Sequence, residues 1–186
     1  TAMPTPRAFP LIVVAALLAC CMGASATPRP AGPPDPSGPV FVEMATTAGT
    51  ITLELDPVRA PISVQNFLGH AAAGHYAGTG FHRVIPAFVI QGGGWTPEFV
   101  ERAKLDAAAG RPDTPIKNEW QNGLTNVRGT IAMARDTRPD SAAREFFINV
   151  SDNLRLSTAR QKSGDAGYAV FGRVVEGMEV VDKIAA

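Results

Sequence analysis

Apolar positions fall mostly into short runs alternating with a period of two, cut by turn residues, and only a few segments keep a helical spacing. Val40–Ala45 and Thr50–Leu55 are rich in β-branched and apolar residues. Thr47-Ala48-Gly49 between them supplies a glycine-containing turn, so the pair reads as a hairpin closed by Asp56-Pro57. Ile62–Ala73 carries Val64, Phe67, Leu68 and Ala71 at helical spacing, with Ser63 as the expected N-cap and Gly74 as the stop. Phe81–Ile85 and Phe88–Gln91 read as strands broken by Pro86-Ala87. Gly92-Gly93-Gly94 opens an irregular stretch reaching Thr114, which holds a short helix around Phe99–Ala109 ended by Gly110. Thr130–Ala134, Phe146–Val150 and Ala169–Val175 are further strands, and Glu179–Ile184 is a last helical turn or two. Many short strands with few helices predict a mainly β domain, a closed barrel or a sandwich with helix caps.

The longest apolar run, Leu11–Met22, is shorter than the roughly 20 residues of a membrane-spanning helix. Arg7 precedes it, and Ala24-Ser25-Ala26 behind it forms an A-x-A cleavage pattern. Residues 1–26 therefore read as an export signal with the mature start near Thr27, which places the protein in the periplasm. Met3, rather than Thr1, reads as the natural start. Leu17-Leu18-Ala19-Cys20 supports a second reading, a lipoprotein cleavage box in which Cys20 would carry a lipid anchor, and both stay open. Residues 27–39, TPRPAGPPDPSGP, hold six prolines and two glycines and read as a semi-stiff exposed tether. The folded domain is expected over residues 40–186, outside the membrane.

Composition then narrows the chemistry. Lys+Arg and Asp+Glu both number 17, and no basic field argues for nucleic acid. Hydrophobic residues make up 45% of the 186, enough to bury a core. Cys20 and Cys21 both sit in the leader, which leaves the domain without a thiol nucleophile or a cysteine metal site. His70 and His75 are five residues apart, about 140° around a helix, so they cannot share a metal as an i, i+4 pair can. No nucleophile elbow or phosphate-binding loop is present, and no cofactor is expected. Gly92–Gly94 reads as a sharp bend. What remains is Phe81-His82-Arg83-Val84-Ile85, where alternation places Phe81, Arg83 and Ile85 on one strand face. An arginine beside two large apolar residues either snorkels to solvent or is held there for chemistry.

FHRVIPAFVIQGG, residues 81–93, resembles the signature of the cyclophilin family of peptidyl-prolyl cis–trans isomerases. The likeness continues in order through IKNE (116–119), RGTIAMAR (128–135), FFINV (146–150), YAVFGRV (168–174) and GMEVV (177–181), in the bacterial arrangement. The family implies a closed eight-stranded antiparallel β-barrel with two capping helices, and a proline-binding groove on the barrel's outer face. Carried over by position, Arg83 would be catalytic, and Phe88, Val89, Phe147 and Leu156 would line the proline pocket. Gln91 would bond the substrate backbone, Ala134 and Arg135 would form the rim that receives residues before the proline, and Tyr168 would stand at the pocket edge. Glu145 occupies a place where many members have glutamine and could pair with Arg83 and hold it, or repel acidic substrates; Arg155 stands where a large aromatic is expected. The family's chain runs on past Ile184 into a closing strand, so a sequence ending at Ala186 implies a truncated record or an altered closure. The implied partners are proline-containing polypeptides of exported proteins, with weak affinity for cyclosporin-like ligands, and the protein is expected to be a monomer. The competing reading is a binding module that holds proline peptides without turning them over.

Overall fold

The computed structural model describes residues 11–15, 38–110 and 112–186. The expected cleavage boxes at Cys20 and Ala26, and tether residues 27–37, lie outside them. Nine strands are found among the described residues: β1 (Leu11–Ala15), β2 (Val40–Thr46), β3 (Gly49–Leu55), β4 (Thr79–Gly80), β5 (Arg83–Ile85), β6 (Val89–Gly92), β7 (Thr130–Met133), β8 (Phe146–Asn149) and β9 (Val170–Glu176). The helices are α1 (Pro61–Ala72), α2 (Arg102–Ala108) and α3 (Met178–Ala185). All strands join one antiparallel sheet, in the order β4-β1-β2-β3-β9-β7-β8-β6-β5. Its two edges, β4 and β5, are consecutive in the chain with only Phe81 and His82 between them.

The sheet is therefore curled, but no ladder joins β4 to β5. The sheet is a curled half-barrel, and the expected closure into eight strands is not shown: the edges β4 and β5 are joined by the two-residue connection Phe81-His82 and not by a ladder. A second difference concerns the leader. The sequence reading placed residues 1–39 outside the fold, whereas Leu11–Ala15 forms β1, paired antiparallel with both β2 and β4.

The β2–β3 hairpin pairs Val40 with Leu55 through to Thr46 with Gly49. Alternation turns Val42, Met44, Ile51, Leu53 and Leu55 inward, each at most 1% exposed. Gly49 allows the turn at φ 142°, and a Cβ there would lie 2.7 Å from Val180 of α3. Helix α1 brings Phe67 to the centre of the core, 5.1 Å from the ring of Tyr76, 5.5 Å from Phe146 and 5.4 Å from Phe171. Helix α3 adds Val181 and Ala185 to the same core. Ser63 is not the N-cap of α1. The cap position is Ala60, Pro61 opens the helix, and the free N–H groups of Ile62 and Ser63 donate to the Glu119 carboxylate at 3.0 and 2.8 Å.

Strands β6 and β8 are buried on both faces. Ile90, Phe146 and Ile148 enter the main core, while Val89 and Phe147 turn outward into a second cluster with Ala132, Ala134, Leu156 and Val170. Phe81 is a correction as well. It is fully buried in the main core, whereas Arg83 is exposed. The two do not share a face because strand pairing begins only at Arg83.

Candidate active site

Strand register builds the site. Arg83 on β5 lies opposite Gln91 on β6, Gln91 opposite Phe147 on β8, and Phe147 opposite Ala132 on β7. Opposed residues point to the same face of a sheet, so these four form one row across four strands. The turn at Pro86-Ala87, with Ala87 at φ 56°, reverses the chain and sets Phe88 beside Val89. The row floors an open groove of about 600 Å³ lined by Arg83, Phe88, Val89, Gln91, Ala134, Arg135, Phe147, Leu156 and Tyr168, together with Arg155 and Arg160. Phe147 meets Tyr168 edge to face at 5.6 Å. Nine of the ten residues named from the sequence thus converge on one concavity. The tenth, Glu145, lines an adjoining cavity of about 410 Å³ that shares Gln91, Ala134 and Arg135 with the groove.

The expected Arg83–Glu145 ion pair is not formed, and Gln91 stands between the two. Arg83 Nη1 donates to Gln91 Oε1 at 3.3 Å, and Gln91 Nε2 donates to Glu145 Oε2 at 2.7 Å. Glu145 instead faces His82, whose Nε2 is 3.5 Å from the same oxygen. Burial pushes the Glu145 carboxyl up, but the hydrogen bond and charge of His82, with donors on Gln91 and Trp95, hold it below the usual value. Gly94 makes room for this carboxylate, since a Cβ there would fall 2.0 Å from Glu145 Oε1. The triple glycine is thus a close-approach bend.

Arg135 is fixed by backbone oxygens. Its Nη2 donates to Ser163 and Ala166 carbonyls at 2.9 and 2.7 Å, and its guanidinium carbon lies 4.6 Å over the Tyr168 ring. The Arg155 guanidinium lies 5.5 Å over the ring of Phe88. Arg155 therefore covers an aromatic at the place where an aromatic side chain was expected.

Sequence reasoning missed a buried asparagine relay behind the groove. Asn153 Nδ2 donates to Phe88 O and Asn149 Oδ1, both at 2.9 Å. Asn149 donates to Asn126 Oδ1 at 3.1 Å, and Asn126 to Tyr168 O at 3.2 Å. The relay ties both walls of the pocket to β8. An asparagine ending the FFIN run was its only sequence signal. Arg160 had none, being a lone arginine in a polar loop. Among the described residues no group of histidine, cysteine or acidic side chains is arranged to hold a metal.

The sequence model of the family described as Cyclophilin type peptidyl-prolyl cis-trans isomerase/CLD matches residues 41–186. The chain belongs to this family. Among curated cyclophilin relatives, a peptidyl-prolyl cis-trans isomerase of Acinetobacter baylyi is 54% identical over 145 residues, which cover 78% of this chain and 71% of that one. Peptidyl-prolyl cis-trans isomerase B of Escherichia coli is 46% identical over 144 residues, covering 77% and 83%. Among solved structures, a cyclophilin type isomerase of Cryptosporidium parvum superposes with a TM-score of 0.61 at 26% identity over 80% of this chain and 85% of that one. The same parasite protein in the presence of the dipeptide Ala-Pro superposes with a TM-score of 0.60 at 27% identity, covering 78% and 84%.

Proposed function

We propose that this cyclophilin accelerates rotation about Xaa-Pro bonds in exported proteins, assisting their folding, with Arg83 as the catalytic residue and the Phe88–Val89–Phe147–Leu156–Tyr168 slot as the proline seat. The observation that carries the reading is the register row that sets a guanidinium beside an open apolar slot. The Ala-Pro dipeptide named with the parasite relative points the same way.

The chemistry needs no covalent step. Resonance stiffens the imide C–N bond, and the rotation barrier is about 18–20 kcal/mol. A catalyst must bind the twisted amide better than either planar form. The slot holds the pyrrolidine ring while the acyl side turns against the Ala134–Arg135 rim. As resonance breaks, the nitrogen lone pair localises, and a guanidinium N–H from Arg83 can donate to it. Lowering the barrier by about 7 kcal/mol corresponds to roughly 10⁵-fold in rate. Gln91 has one N–H committed to Glu145 and its oxygen to Arg83, which leaves one N–H for the substrate backbone.

Export through residues 1–26, by cleavage near Thr27 or lipidation at Cys20, and action as a monomer belong to the same proposal. Exchange measured by NMR line shape on an Ala-Pro peptide tests it. Arg83→Ala should lower the rate by roughly two orders of magnitude, about 2.7 kcal/mol, with binding retained. An arginine keeps its charge at every working pH, so turnover should be flat from about pH 6 to about pH 9. Binding without exchange in the wild-type protein would select the non-catalytic module instead.

A further inference from the structure

The arginines among the described residues divide sharply by place. Arg59, Arg102, Arg128, Arg138, Arg144 and Arg173 each make an ion pair with a carboxylate. The other four among the described residues, Arg83, Arg135, Arg155 and Arg160, all line the groove, and none makes such a pair. No aspartate or glutamate lines that groove. Arg83 and Arg155 are exposed, and the Arg160 Nε is shielded from solvent without a hydrogen-bond partner. Arg160 lies close enough to Arg135 for their like charges to interact: burial pushes the Arg135 guanidinium below its usual pKa and Arg160 adds to this, against the opposing pull of Tyr168, Asp136 and Asp140. Four guanidiniums around one slot, none of them ion-paired to a carboxylate, form a site of positive potential that draws an anion from outside.

We propose that the groove selects proline peptides carrying an acidic side chain next to the proline, with its carboxylate received by Arg155 and Arg160. The inference rests on the isomerase reading and names the substrate class for that same site. The adjoining cavity sharpens the placement. Glu101, Asp113, Asp136 and Glu145 line it, and each already has a cationic or hydrogen-bonding partner in Lys104, Arg144, Arg138 or His82 with Gln91. That side of the shared Ala134–Arg135 rim offers an acid nothing. An acidic residue is therefore accepted at the proline-slot end, immediately after the proline, and not several residues before it. Arginine suits this role because its planar fork can take both carboxylate oxygens.

Three peptides that differ only after the proline, Ala-Ala-Pro-Glu, Ala-Ala-Pro-Gln and Ala-Ala-Pro-Lys, test it on the full chain, with exchange rate and affinity both measured by NMR. At low ionic strength the glutamate peptide should exceed the glutamine peptide about three- to tenfold in kcat/KM and in affinity, with the lysine peptide weakest. Raising salt to about 0.5 M should shrink the glutamate–lysine gap toward one while the glutamine peptide changes little. The Arg155→Glu/Arg160→Glu double variant should invert the order, so that lysine exceeds glutamate. Exchange of the glutamine peptide with equal values for all three would overturn the acid preference and leave the isomerase reading intact. A salt-insensitive order, or one unchanged in the double variant, would overturn it too. Binding that ranks as proposed without any exchange would sink the isomerase reading alone.

Discussion

Glu145 reaches Arg83 only through the amide of Gln91. Its carboxylate accepts from Gln91 Nε2, which fixes the amide so that Oε1 faces the guanidinium. Without that acceptor the amide is free to turn and present N–H groups to another donor. Glu145→Ala should therefore lower kcat/KM for an Ala-Pro peptide about tenfold, roughly 1.4 kcal/mol, while Glu145→Gln, which keeps an acceptor oxygen, should retain most of the activity. Equal losses in both variants would mean that the charge, rather than the acceptor, positions Gln91. At this scale the sequence was partly legible. Arg83, Gln91 and Phe147 were nameable because they sit in long continuous motifs. The link through Gln91 was not, because residues 83, 91 and 145 meet only through strand register. Arg160 was invisible for the same reason, since its loop has no pattern of its own.

The hairpin and α1 were readable because a period of two or 3.6 is a local signal, and their ends were misplaced by only a residue or two. What holds their ends was not readable. Three donors of α1, the N–H groups of Ile62 and Ser63 and the Ser63 hydroxyl, converge on Glu119, more than 50 residues away. Glu119→Ala should destabilise the protein by about 1–2 kcal/mol, visible as a lower thermal midpoint, with the exchange rate of the folded protein unchanged. Helix α2 has a different anchor. Arg144, 2% exposed, binds Asp106 on α2 at 2.7 Å and Asp113 through Nε at 2.7 Å. Removing one partner from a buried pair costs about 3–5 kcal/mol, so Arg144→Leu should lower the melting temperature more than Glu119→Ala does. Burial pushes the Asp106 carboxyl up, but the hydrogen bond and charge of Arg144, with Arg102, bring it below its ordinary value. A carboxyl depressed in the folded state stabilises the protein above its unfolded pKa and loses that contribution as pH falls through the folded one. Unfolding titrations below about pH 4 should show this acid loss in the wild type, and it should be weaker in Arg144→Leu.

For the molecule as a whole, the sequence announced many short strands but not how the sheet would curl, because nothing local states which strand lies beside which. The order that places β1 between β2 and β4 is the plainest case. Leu11–Ala15 has the apolar content of an export signal and equally that of a strand, and a period argument cannot separate the two over five residues. In the sheet, Ile12 faces Thr46 and Ala15 faces Glu43 on one side, while Leu11 and Ile12 face Gly80 and Thr79 on the other. These pairings protect backbone amides of β2 that point away from β3. If the leader is cleaved on export, β1 leaves with it and β2 becomes an open edge, the kind that invites pairing with another chain. Val13→Pro in the full chain isolates the effect, because proline removes a ladder donor at the centre of β1. Hydrogen exchange of the outward amides within Glu43–Thr46 should then quicken by an order of magnitude or more, while the amides that bond β3 keep their protection. Exchange at those outward amides that is already fast, and unmoved by Val13→Pro, would mean that β1 does not hold the edge in solution.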